Sequence, residues 1–331
     1  MQHGAIVGTI GHLTLAPHRG MNLKQLEYFV RVAEMGSFSK AALILNIAQP
    51  ALSRQVRLLE TDLHVTLLTR NGRGVVLTEV GQRLFDHSVG ILQLVARAAE
   101  DVASARDEPA GRIVIGLPPS IGRRLTLPLV EGFRRHLPKA RLAIVEGLST
   151  HLTEWIATGR VDLGLIHNPE PNPAIEVTPV LEEPLGLVSP AAGRVAKATP
   201  LPMSELVSYP LILPERTHAM RKLIETKAAL LNLKLDIRLE ISGVPAILDL
   251  VAAGYGHAVL TRTALAAFGR PGAFRLRPLT NPGLSSTLFL AVSAHKPSTP
   301  LGRRTLRLLQ ELVLAESLDA AAHGVAHNKT R

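Results

Sequence analysis

The sequence predicts an α+β chain of several modules, and three observations predict it. Residues 21–77 carry short helical periods that end in a glycine-rich turn. Residues 78–108 carry one long helical period broken only by Gly81 and Gly90. From Gly111 onward, apolar strand-like runs alternate with helical stretches. At 331 residues the chain has room for two domains, and 46% apolar against 19% charged residues supports packed cores rather than disorder.

The first module opens at Asn22-Leu23. Leu23, Leu26, Phe29/Val30 and Ala33 recur at three- and four-residue steps, as one buried helical face requires. Gly36 ends that helix. Ser37-Phe38-Ser39 offers a hydroxyl cap to a second helix through Ala41, Ala42 and Leu45, in which the small Ala41 and Ala42 allow close crossing. A third helix follows Asn46, with Pro50 in its first turn, where a missing N–H costs nothing. Leu52, Val56, Leu59 and Leu63 form its inward stripe.

Gln49, Ser53 and Arg57, with Pro50 and Arg54, form a second and polar stripe. Arg reaches guanine O6/N7, Gln pairs with adenine, and a helix N-terminus with Ser holds phosphate, so this stripe suits a DNA major groove; a plain solvated face is the alternative. Leu67 to Thr78 then reads as strand, Gly-rich turn and strand. Such a hairpin makes a wing, with Arg73 at a tip suited to a narrow minor groove.

From Leu23 to Gly81 the sequence resembles the winged helix-turn-helix of LysR-type transcriptional regulators. The matching run is Phe29, Ala33, Gly36-Ser37-Phe38, Ala41-Ala42, Gln49-Pro50-Ala51-Leu52-Ser53-Arg54-Gln55-Val56, Leu59-Glu60, Leu63, Leu67-Leu68, Arg70, Leu77-Thr78 and Gly81. Ile47–Ser53 and Asn71–Val75 look closest to the nitrogen-assimilation-control branch. The resemblance implies that Gln49, Pro50, Ser53 and Arg54 face DNA from the recognition helix and Arg73 from the wing. It places Ser37, Ser39 and Lys40 near phosphate. One departure stands out: Ala48 occupies a position where the family often has Ser or Thr, leaving that helix without a side-chain cap.

Within residues 78–108, Leu84, Ser88, Ile91, Val95, Ala98, Val102 and Ala105 alternate steps of four and three, a heptad seam suited to pairing with a second chain. Packing on the chain's own second domain is the alternative. The resemblance agrees with pairing and implies a dimer of dimers. Asp107-Glu108-Pro109-Ala110-Gly111 then reads as a hinge.

In the second module, strands at Arg112–Leu117, Arg141–Glu146 and Val161–Ile166 alternate with helices to His136 and at Ser149–Thr158, implying a parallel sheet. Further strands are expected near 185–189, 210–213, across Leu233–Ile241, at His257–Thr261 and at Thr287–Val292. Helices are expected near Val244–Ala253 and Leu301–Ala315. The resemblance implies a two-lobed α/β effector-binding domain, similar to periplasmic solute-binding proteins. It assigns lobe I to 111–182 plus 285–315, lobe II to 183–284, and a tail to 316–331.

Ligands in such sheets bind outside the carboxyl ends of strands. Ser120, Ser149, Thr150 and His167 in lobe I, and Arg216, Thr217 and Ser242 in lobe II, are therefore the candidate effector residues, for a small anion such as a carboxylate. Each Ser or Thr could equally be an N-cap. His167 has no partner at metal-ligand spacing, so no metal is expected.

Charge is uneven. The chain is net +10, yet residues 21–80 hold seven Lys/Arg and five Asp/Glu, whereas 111–331 hold 26 and 17. Most of the excess lies outside the predicted DNA-reading segment. Aromatics at 3% argue against nucleic-acid binding by stacking. The absence of cysteine removes disulfides, thiolate metal sites and thiol nucleophiles. No run of ~20 apolar residues spans a membrane. Residues 1–20 lack a basic n-region and read as a loose arm or an upstream start, since Met21 leads directly into a helix. Neither a Gly-x-Ser-x-Gly elbow, nor a phosphate-binding Gly-rich loop, nor a His-Glu-x-x-His helix is present, so no catalysis and no cofactor are expected.

The expectation is a cytoplasmic, sequence-specific regulator that binds promoter DNA as an oligomer, contacts RNA polymerase and responds to a small effector. A constitutive regulator whose second module only assembles subunits is the main alternative, and a solute-binding protein a distant one.

Overall fold

The computed structural model describes residues 21–72, 74–103, 109–191, 199–270, 272–295 and 299–326. It divides into two compact units, the first closing at Leu92 and the second opening at Gln93. The expected arm at 1–20 and the wing tip Arg73 lie outside the described residues.

The first unit contains α1 (Leu23–Met35), α2 (Phe38–Leu45), α3 (Gln49–Leu63), a hairpin of β1 (Leu68–Asn71) and β2 (Gly74–Leu77), and the first turns of α4 (Glu79–Ala103). Asn22 and Gln25 cap α1 reciprocally, each side-chain oxygen accepting from the other's backbone N–H at 3.0 Å. Gly36 closes α1 in the left-handed region at φ 58°. Ser37 caps α2, accepting from the Lys40 N–H at 3.4 Å. Ala48 precedes α3 with no side-chain cap. The helix α1 is buried on two sides: Leu26, Phe29 and Val30 pack with Leu59 and Leu67, and Tyr28 and Val32 pack with Ala41, Ala42, Leu52 and Val56. Leu23, expected on the inner face, is 45% exposed because it stands in the first turn, ahead of the packed stripe.

The first turns of α4 pack on the winged unit. Leu84 packs with Phe85, Val89 and Leu92 against the core of its own winged unit, and Ser88 is fully buried, donating to the Leu84 carbonyl at 2.6 Å. Leu84, expected in the seam, is half-buried on that core. Further along, Ile91, Leu94, Val95 and Ala98 are exposed. The Val102 side chain lies outside the described residues.

In the second unit the chain runs through β3 (Gly111–Leu117), α5 (Pro119–His136), β4 (Ala140–Glu146), α6 (Ser149–Ala157) and β5 (Leu163–His167). A sixteen-residue strand β6 (Ile175–Pro190) follows. Then come β7 (Leu201–Pro202), a 3-10 turn at Met203–Ser208, β8 (Leu211–Leu213), α7 (Ala219–Leu230), β9 (Ile237–Glu240) and α8 (Val244–Ala252). The chain closes with β10 (Ala258–Thr261), α9 (Arg262–Ala266), β11 (Phe274–Thr280), β12 (Ser285–Ser293) and α10 (Pro300–Ala326).

The main sheet is ordered β4-β3-β5-β12-β6-β11-β7, with β10 also on β6. Its parallel part, β4-β3-β5, belongs to lobe I. Strand β6 joins the lobes: Ile175 to Pro184 pair with β12, and Leu185 to Pro190 pair with β10 and β11. Lobe I packs Ile113, Ile115, Leu125, Leu129 and Leu309 on one sheet face and Val114, Leu152, Ile156 and Ile166 on the other. Lobe II has its own core, including Leu187, Ile212, Ile224, Leu248 and Leu260.

Three expectations change. The run near 185–189 is the far end of β6 rather than a separate strand. Of the alternation at Leu233–Ile241, only Ile237–Glu240 is strand. The closing helix continues to Ala326 instead of ending near 315. Among the described residues, no helix is long and apolar enough to cross a membrane.

Candidate functional site

The helix α3 has two sides of opposite character. Leu52, Val56 and Leu59 are at most 1% exposed, which locks one side into the core. Gln49, Pro50, Arg54 and Arg57 are exposed on the other, and Ser53 is half-buried between them. Neither Arg54 nor Arg57 forms an ion pair among the described residues, so both guanidinium groups keep their donors for an external acceptor. Ser39 and Lys40 are exposed at the start of α2, and Ser37 spends its oxygen on capping.

The wing is fastened to both ends of the helical pair. Val75 N–H donates to the Gly36 carbonyl at 2.9 Å, pinning β2 to the α1–α2 turn. The Glu60 carboxylate accepts from Leu67 and Leu68 N–H, pinning the start of β1 to α3. Arg70 lies 5.8 Å from the centre of the Phe38 ring. The polar face of α3 and the hairpin are thus held as one rigid piece, which is what a groove-reading helix with a flanking wing needs.

A second site lies between the lobes of the effector module. A cavity of about 140 Å³ is bordered by Ser120, Arg123, Ser149 and His167 from lobe I and by His218, Met220, Ser242, Leu248 and Phe268 from lobe II. A wider chamber of about 410 Å³ shares Ser149 and His167 with it and adds Thr150, Asn168, Glu170 and Lys222. Lys222 of α7 bridges to Glu170 at 2.7 Å, which holds the Glu170 carboxyl below the usual range.

Five of the seven predicted effector residues therefore border these spaces: Ser120, Ser149, Thr150, His167 and Ser242. Arg216 and Thr217 do not. Both are exposed, and the residue that faces the cavity from their loop is His218, the N-cap of α7. The helix α7 went unread in the sequence, and with it His218; the four-residue steps of Met220, Ile224 and Ala228 are the signal that finds both. Arg123, one turn after Ser120 on α5, also escaped notice.

Hydrogen bonds hold both histidines. Thr287 N–H donates to Asn168 Oδ1 at 2.8 Å, so the Asn168 amide donates to Ser286 Oγ at 3.0 Å. Ser286 Oγ also lies 3.3 Å from His167 Nδ1, a hydrogen bond in which the hydroxyl donates or accepts according to the imidazole tautomer. His218 Nδ1 accepts from Met220 N–H at 3.2 Å, so its proton is on Nε2. Burial, reinforced by the neighbouring His218, lowers the His167 pKa to about 4. Burial likewise lowers that of His218, against an opposing pull from Glu215. Both rings are neutral at neutral pH.

Backbone donors add to these. The helices α5, α6 and α8 begin at Pro118, Leu148 and Gly243 with no side-chain cap, and all three N-termini border the smaller cavity. Ser149 has a structural task as well, its oxygen accepting from the His167 N–H at 2.9 Å. Positive helix ends, two imidazoles and the Arg123 charge line a mostly apolar pocket. That combination suits a small anion with an apolar body. Among the described residues, no group of three or more His, Asp or Glu could hold a metal.

Comparison with known proteins matches both parts. Residues 23–82 match the family of bacterial regulatory helix-turn-helix proteins, lysR family, and residues 106–313 match the LysR substrate binding domain. The nitrogen assimilation regulatory protein nac of Klebsiella aerogenes is 30% identical over 300 residues, covering 90% of this chain and 97% of that one. A full-length OxyR variant from Pseudomonas aeruginosa aligns with a TM-score of 0.66 at 26% identity, over 88% of this chain and 94% of that one. Full-length CbnR in complex with its target DNA aligns with a TM-score of 0.63 at 22% identity, over 88% and 100%, a likeness of fold. With a winged reading head, a linker helix and a two-lobed α/β module in that order, the chain belongs to the LysR-type transcriptional regulators, as a helix-turn-helix protein with an effector-binding domain.

Proposed function

We propose that the chain reads promoter DNA through Gln49, Pro50, Ser53, Arg54 and Arg57 of α3, with the wing carrying Arg73 alongside. Ser37, Ser39 and Lys40 lie against phosphate at the start of α2. The observation that carries this reading is the division of α3 into a fully packed apolar side and an exposed side with two unpaired arginines. The exposed stretch of α4 at Ile91, Leu94, Val95 and Ala98 pairs two chains. Two symmetry-related reading heads then meet two half-sites of an inverted repeat, and pairs assemble further as a dimer of dimers. A small carboxylate-type anion enters between the lobes, and its preference for one lobe arrangement shifts DNA bending or contact with RNA polymerase. We place this activity in the cytoplasm.

Genome-wide mapping of bound sites followed by footprinting of the recovered fragments tests the reading. Protection of two half-sites related by a dyad is expected. Purified full-length chain that protects no recovered fragment contradicts it.

A further inference from the structure

The net positive charge of the second unit has no part in the reading above, yet the fold gathers much of it at one place. Strands β3 and β4 are parallel and in register with Arg112 opposite Arg141, and both side chains are exposed. The helix α5 runs back along β3, so its last turn, with exposed Arg134 and Arg135, and Lys139 after it, returns to the same edge. Strand β12 runs antiparallel to β5 and delivers the start of α10 there too. A side chain at Gly132 of α5 would meet Leu308 of α10, which sets exposed Arg304, one turn before Leu308, beside the end of α5. Glu131, Glu154, Asp162 and Glu176 also lie toward this edge, and the Asp162 carboxylate is engaged by the Val114 N–H at 2.8 Å. The ligand cavity opens at the opposite ends of these strands.

Like charges opposite one another on neighbouring strands repel, and such a field is relieved by a polyanion. The surface also lacks what a protein partner wants at its centre. Among the described residues, none of the exposed large apolar side chains falls in 134–141 or at 303–304. Strand β3 begins at this edge, at Gly111. A polymer of phosphates held by the reading head is tethered to the same chain, which makes contact with this edge intramolecular.

We propose that this basic edge of lobe I binds the phosphate backbone of duplex DNA without reading its sequence, as a second DNA contact of the regulator. Arg135, Arg141 and Arg304 carry the test, because each is exposed and forms no ion pair among the described residues.

The experiment measures binding of the full-length chain to a long duplex of arbitrary sequence by fluorescence anisotropy across a series of NaCl concentrations. Each phosphate contact contributes ~0.9 to the slope of log affinity against log salt, so the Arg135→Gln, Arg141→Gln, Arg304→Gln triple variant is expected to lose about 2 to 3 from that slope. Neutralising Lys227, Lys234 and Arg262 on lobe II to Gln removes equal charge elsewhere and is expected to leave the slope unchanged. Arg141→Gln alone, expected to lose about 1, keeps the test open if the triple variant unfolds. A triple variant with the slope of the wild type overturns the proposal, and so does a lobe II variant that loses as much. A chain that keeps its dyad footprint while all variants share one slope contradicts this inference and leaves the α3 reading intact.

Discussion

The Glu60 carboxylate in the last turn of α3 accepts hydrogen bonds from the backbone N–H groups of both Leu67 and Leu68, at 2.8 and 3.1 Å. One side chain thereby joins the reading helix to the first strand of the wing. Glu60→Ala strands two half-buried donors and is expected to cost about 2 kcal/mol of stability. Glu60→Gln keeps an acceptor and loses less. Urea unfolding of the two variants checks the order, and an alanine variant as stable as wild type shows the tie to be idle.

Gly81 is the next constraint. A Cβ at that position would stand 2.0 Å from the Leu67 carbonyl oxygen, while the Gly81 N–H is capped by Thr78 Oγ1 at 2.9 Å. The Leu67 oxygen belongs to the backbone, so the backbone has to move. Gly81→Ala is expected to lower the stability of the winged unit by ~1–3 kcal/mol, as overpacking does. A melting temperature equal to that of wild type contradicts the close approach.

The pairing of chains is tested further along α4. Ile91 is 37% exposed and Val95 45%, each apolar and facing away from the winged core. Ile91→Asp or Val95→Asp is expected to yield monomers by sedimentation and to weaken binding to a two-half-site duplex at least tenfold. A dimeric variant with full affinity removes these residues from the seam. Leu84, half-buried on the winged core, is expected to lose stability when truncated to Ala.

Acid should act on the effector module through its histidines. His167 has a pKa of about 4 in the fold against 6.5 for an ordinary histidine, because burial, and after it His218, disfavours its charged form. The unfolded chain takes up that proton first as pH falls. The stability gained by keeping the ring neutral is complete above about pH 6.5 and is lost progressively toward pH 4. His218 is shifted in the same direction and adds to the loss. Thermal unfolding at pH 7.5 and pH 5 is expected to show a falling melting temperature, with a smaller fall in His167→Gln. Equal falls in both proteins rule out His167 as a source.

The three modules were legible because each rests on a local pattern: a 3.6-residue period in α1 and α3, a glycine hairpin at Asn71–Gly74, alternating apolar runs from Gly111. A hydroxyl cap within Ser37-Phe38-Ser39 and a missing cap at Ala48 follow from local sequence, and in the fold Ser37 is the residue that caps. The harder features depend on distant partners. Nothing near Leu84 says that Leu26 and Phe29 will claim its face. The sixteen residues of β6 look like two strands until β12, β10 and β11 are seen to share it. Ser120, Ser149, His167 and Ser242 were placed at the cavity by the rule that ligands meet strand ends. Arg216 and Thr217 were named by the same rule, but the helix begins two residues later, so His218 takes their place.

The most direct measurement is selection of duplexes from a random pool by the full-length chain and by its Arg54→Ala variant. The wild-type chain is expected to enrich an inverted repeat. The variant is expected to lose ~1–3 kcal/mol on that repeat and its preference at one base pair in each half-site. Recovery of one and the same motif, with the same affinity, by both proteins contradicts base reading by this face of α3.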